Sequence, residues 1–151
     1  MQTSQPIVVG VDGSQASLEA LREAGRMADL MGCPLTAVTT WQLPVTAADY
    51  PFPLEQNFEE DARRRLGASV RAVFGEDPPA GLEQVVSVGS PARVLRDLSE
   101  DARLLVVGSR GHGGFVGLML GSVSSAVAAH ARCPVLITHR DVPGPASAPA
   151  G

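Results

Sequence analysis

At 151 residues and 44% hydrophobic content, the chain has material for one domain with a proper core and too little for two. Its net charge of −4, from 12 basic and 16 acidic residues, argues against a dedicated nucleic-acid binder, and no apolar run reaches the length of a membrane span. Aromatic residues make up only 4%, so aliphatic side chains must build the core.

The first predicted strand is IVVGVD, Ile7 to Asp12. Gly13 turns the chain, and Ser14 is a good N-cap for a helix over Gln15–Met31, with Leu18, Leu21, Ala24, Ala28 and Met31 on one stripe. Gly32 stops that helix and Pro34 prevents its resumption. The β-branched run Leu35–Trp41 is the second strand. A proline-rich loop leads to a second helix over about Leu54–Phe74, whose Glu59, Glu60 and Asp61 precede Arg63, Arg64 and Arg65. That charge run reads as a solvated face with helical ion pairs.

Leu82–Val88 is a third strand, and Ser90-Pro91 opens a short helix ending near Asp101. Leu104–Val107 is a fourth strand, aliphatic throughout as a buried parallel strand would be. Val123–Ala131 can be helical, and PVLITH, from Pro134, is the fifth strand. Strand and helix thus alternate, the pattern of an α/β domain with a parallel sheet covered on both faces. The domain is expected over residues 1–141, followed by a disordered Pro/Ala/Gly tail at 142–151. The opening MQTSQP has neither a basic nor an apolar region, so no secretory leader is expected and a cytoplasmic location follows by default. Cys33 and Cys133 each precede a proline and a strand and are expected to be free thiols.

Between the fourth strand and the last helix lies SRGHGGFVGLMLGS. Its glycines let backbone N–H groups converge, and the helix that follows has a dipole favouring an anion at its start. The loop has no lysine and no G-x-x-x-x-G-K-[ST], so it is not a P-loop. What stands is Gly108, two residues, Gly111, nine residues, Gly121 and Ser122.

This spacing resembles the nucleotide signature of the universal stress protein family, in its ATP-binding subgroup, and the resemblance covers nearly all of residues 5–140. It implies an open, Rossmann-like five-stranded parallel sheet of order 3-2-1-4-5, akin to the adenine nucleotide alpha hydrolases. In that order the strand reversal falls between the strands ending at Asp12 and Gly108, and ligands of open α/β sheets bind at such a reversal. The cysteine-bearing ends would lie three strands apart at about 4.8 Å each, too far for a disulfide. The resemblance implies cofactor contacts from Asp12, Thr40, Gly108, Arg110, Gly111, Gly121, Ser122 and Val123. Gly111, Gly121 and Ser122 would line the triphosphate, and Gly108 would let the strand end approach the ribose. Asp12 would sit near the adenosine, through water or Mg²⁺, and Thr40 would offer main-chain groups to the adenine. Asp12 and Ser122 also suit plain capping roles.

The function expected is that of an ATP-binding stress regulator rather than a dedicated enzyme, with an unidentified regulatory protein partner, no nucleic acid and no membrane. Alternatives are binding of AMP or cyclic AMP, slow ATP hydrolysis, or phosphotransfer onto Ser122, Ser124 or Ser125. The fifth strand, with Val135, Leu136, Ile137 and Thr138 uncharged at a sheet edge, is expected to pair with its own copy in a homodimer.

Overall fold

The computed structural model describes residues 4–43, 57–109 and 120–139. The tail at 142–151, the loop after Leu43 and most of the glycine loop lie outside them. The elements are β1 (Ile7–Gly10), α1 (Gln15–Met31), β2 (Leu35–Trp41), α2 (Phe58–Phe74), β3 (Glu83–Val88), α3 (Pro91–Ser99), β4 (Leu104–Gly108), α4 (Ser122–His130) and β5 (Val135–Thr138). The five strands form one parallel sheet in the order β3-β2-β1-β4-β5. The expected architecture is therefore the observed one.

Both faces of the sheet are covered, which is why the central strands are aliphatic rather than alternating. On one face Ile7, Val9, Leu35, Ala37 and Val106 pack with Ala20, Leu21 and Ala24 of α1 and Leu66 and Val70 of α2. On the other, Val8, Val38, Leu105 and Val107 meet Val94 and Leu95 of α3 and Val127 of α4. Alternate residues of one strand thus serve two cores. No helix among the described residues is long and apolar enough to cross a membrane.

Local signals act as their chemistry demands. Ser14 is extended (φ −71°, ψ 159°), and its side chain accepts the Ser17 N–H at the start of α1. Gly32 adopts φ 64° and closes the other end with bonds to the Ala28 and Asp29 carbonyls. Several boundaries differ from expectation by a few residues. β1 ends at Gly10 because the chain then enters the Asp12 turn. α2 begins at Phe58, since Asn57 is extended and its side chain accepts the Glu60 N–H. Ser90 precedes α3 in cap geometry, but its side chain makes no cap hydrogen bond, and the helix stops at Ser99. Finally, Gly121 and not Ser122 is the N-cap of α4.

Cys33 and Cys133 are both free thiols. They precede β2 and β5, separated by β1 and β4.

Candidate functional site

Because α1 lies on one face and α4 on the other, the chain leaves β1 and β4 in opposite directions and opens a crevice between their carboxyl ends. Asp12 stands on the β1 side. Its Oδ1 accepts the Ser14 N–H at 2.8 Å, and its own N–H donates to Ser17 Oγ at 3.2 Å. Gly13 between them has φ 86°, which an L side chain rarely adopts. The capping role of Asp12 is therefore real, and it holds the half-buried carboxylate at the crevice.

The β4 side is built around a residue the sequence did not single out. Ser109 is 7% exposed. Its N–H donates to the Thr138 carbonyl of β5 at 2.8 Å, while its carbonyl accepts the Gly121 N–H at 2.7 Å and the Ser124 hydroxyl at 3.0 Å. One buried peptide thus clasps the two ends of the glycine loop together. A serine after a strand reads as ordinary loop chemistry, and its partners lie 12 and 15 residues on, so no local pattern flags it.

This clasp revises two expectations. The Gly121 N–H is engaged by Ser109, so it is not a donor pointing at a ligand. Ser124 is 2% exposed and shares its hydroxyl hydrogen between the Ser109 and Gly121 carbonyls, so it is not an exposed phosphate acceptor. Ser122 and Ser125 are exposed. Ser122 is the first helical residue, and Val123 packs against the α3/α4 core, which leaves only its main chain for contacts. Among the described residues no side chain caps the first turn of α4, so the N–H groups of Ser122, Val123 and Ser124 are its orphan donors there.

Gly108 has a reason of its own. A Cβ there would lie 2.8 Å from the Ala16 carbonyl oxygen and 2.9 Å from its carbon, so glycine is required for α1 to pack on β4. Thr40 lies near the end of β2, half-buried. Val38 accepts the Val11 N–H from β1, whereas Trp41 accepts the Gly89 N–H beside β3. By the alternation of a parallel ladder, the Thr40 N–H and C=O face the β1 side, beyond the last β1–β2 pair, Gly10 with Val38. Arg110 and Gly111 lie outside the described residues. Among the described residues, no three His, Cys, Asp or Glu side chains are grouped to hold a metal ion.

Comparison with known proteins agrees with this layout. A sequence profile of the universal stress protein family matches residues 3–139. The chain belongs to the universal stress protein family. Universal stress protein Rv2623 of Mycobacterium tuberculosis is 37% identical over 142 residues, covering 91% of this chain and 46% of the relative. The chain thus spans about half the length of the curated relatives it matches. A universal stress protein solved in complex with cAMP is 32% identical, with a TM-score of 0.58 and coverage of 91% of this chain and 98% of that one. Another, from Archaeoglobus fulgidus in complex with dAMP, is 27% identical, with a TM-score of 0.64 over 90% of this chain and 98% of that one. Family membership was anticipated from the glycine spacing, and the sheet order from the family resemblance that the spacing carried.

Proposed function

We propose that the crevice between β1 and β4 binds an adenine nucleotide, ATP in particular, and that occupancy regulates a protein partner. The observation that carries this reading is the first turn of α4. Its donors are uncapped, while Gly121, the residue that holds the turn in place, is tied back to Ser109. Such a turn suits a phosphate. Across the crevice, the Thr40 main chain suits the adenine edge and Asp12 the ribose side. The related proteins solved with cAMP and dAMP support the adenine nucleotide class.

In this reading phosphate contacts come from the Ser122 hydroxyl and the N–H groups of Ser122 and Val123, with Arg110 and Gly111 contributing from the loop. Gly108 acts by shape, admitting α1, and Gly121 leaves the anion position free of a side chain. Mg²⁺, where used, takes Asp12 as its protein carboxylate and the nucleotide oxygens as further ligands. The domain, residues 1–141, works in the cytoplasm.

Native mass spectrometry of protein purified without added nucleotide, followed by calorimetry with ATP, AMP and cyclic AMP, tests the reading. A retained adenine nucleotide, or saturable binding of one of the three, is expected. Failure of all three to bind would end it. Turnover of ATP should stay below the roughly 1–1000 per second of dedicated enzymes. Faster hydrolysis, abolished by Asp12→Ala, would favour an ATPase.

We also propose that β5 pairs with its own copy. The Pro134 and Thr138 carbonyls bond to the Leu105 and Ser109 N–H groups, so Val135 and Ile137 turn their main-chain groups to the open edge. Leu136 packs against the α1/α2 core, so a charge there would test folding rather than pairing. Ile137→Pro removes an outward N–H and spares the ladder to β4, and thermal melting checks the fold because Ile137 also packs against the α3/α4 core. Light scattering after size exclusion should report a dimer for the parent at micromolar concentration and a shift toward monomer for this variant. A monomeric parent would exclude the pairing.

A further inference from the structure

All 12 cationic residues of the chain are arginines, and Arg110 and Arg140 lie outside the described residues. Five of the others sit beside carboxylates on their own helices, among them Arg63 with Glu59 and Arg64 with Asp61. Arg65, the third of that run, has no ion pair among the described residues, although Asp61 stands one turn before it. Its stem instead leaves α2 for the β1–α1 turn. A Cβ placed on Gly13 would lie 3.2 Å from Arg65 Cδ and 3.3 Å from its Cγ. The guanidinium nitrogens lie one to three bonds beyond that Cδ, within reach of the turn that carries Asp12.

Position separates Arg65 from the remaining unpaired arginines. Arg71 is in the last turn of α2, and Arg103 and Arg132 precede β4 and β5, so all three belong to the amino end of the sheet. Arg93 lies against Gly89 beyond the outer strand β3, two strands from β1. Arg65 alone among these five stands at the crevice. It is exposed, so its charge is available to a ligand rather than consumed within the fold.

We infer that Arg65 contacts the phosphate of the bound nucleotide from the β1 side of the crevice. This rests on the nucleotide reading above and adds to it a cation held on a helix rather than on the glycine loop. Arg presents a planar fork of donors that fits phosphate oxygens in pairs, which a lysine does not. The competing explanation is that the methylenes of Arg65 merely cover Gly13.

Arg65→Met separates the two, because it keeps an apolar stem over Gly13 and removes the charge. Affinities for adenosine and AMP are measured by calorimetry in the parent, Arg65→Met and Arg65→Lys, with thermal melting as the check on folding. If Arg65 contacts phosphate, Arg65→Met weakens AMP by about tenfold and leaves adenosine within about twofold. Arg65→Lys falls between, and raising the salt narrows the gap between parent and Arg65→Met. An AMP-to-adenosine ratio equal to the parent's in Arg65→Met overturns the inference while leaving the nucleotide reading intact. A parent that binds neither ligand nor any other adenine nucleotide overturns both.

Discussion

Gly108→Ala is expected to destabilise the domain by about 1–3 kcal/mol, the cost of forcing one extra carbon into a filled site. The added Cβ would meet the Ala16 carbonyl oxygen at 2.8 Å, its carbon at 2.9 Å and the Ala16 Cβ at 3.0 Å. Two of those atoms are helix backbone, so no rotamer change relieves the clash. The first turn of α1 must lift from β4. That turn also holds Ser17, whose hydroxyl accepts the Asp12 N–H and whose N–H is capped by Ser14. The displacement therefore reaches the β1 side of the crevice, and nucleotide affinity should fall together with stability. For a domain of this size, each kcal/mol lowers the melting midpoint by about 2–4 °C. Calorimetric melting gives the first readout and nucleotide titration the second. A midpoint equal to the parent's would mean that α1 yields at no cost, contrary to its close contact with Gly108.

Gly121→Asp is expected to do the opposite: it should abolish nucleotide binding while leaving the fold as stable as the parent or slightly more so. Gly121 is extended, with φ −66° and ψ 168°, a conformation open to any residue. It is the N-cap of α4, where aspartate is among the best residues and gains a few tenths of a kcal/mol over glycine. The new carboxylate would accept N–H groups of the first turn, the same donors assigned to phosphate. It would occupy the anion position and repel what was meant to sit there. Circular dichroism melting should show an unchanged or higher midpoint, while calorimetry with ATP should show affinity reduced by at least about tenfold, as the loss of charge-assisted bonds implies. A variant that binds ATP as the parent does would remove α4 from the site. A variant that loses both binding and stability would show that Gly121 serves the Ser109 clasp in some way that aspartate cannot.

The two glycines show why one loop signature carries unlike roles. Spacing marks both alike, but Gly108 is required by a helix pressing on a strand end, whereas Gly121 has a backbone open to any residue. Only the packed structure distinguishes them. The same division holds at Asp12, where capping and ligand contact were rival readings. The Ser14 N–H on Oδ1 makes the first real, and that bond holds the carboxylate at the crevice.

The sequence by itself determined the alternation of strands and helices, because aliphatic runs and turn residues act within a few positions of each other. It determined the ends of α1 through Ser14 and Gly32, and the family through the glycine spacing. These are local matters of backbone conformation and side-chain size. Tertiary structure alone decided the rest. The Ser109 clasp joins β4, β5 and α4 through hydrogen bonds that span 12 to 29 residues, and no short pattern records it. The packing of α1 on Gly108 brings together atoms 92 positions apart. Arg65 looks like its neighbours in the row Arg63–Arg65, and its different role follows from where α2 docks against the β1–α1 turn. Hydrophobic pattern sets which face of a helix is buried; which distant residue it meets depends on how the elements are stacked.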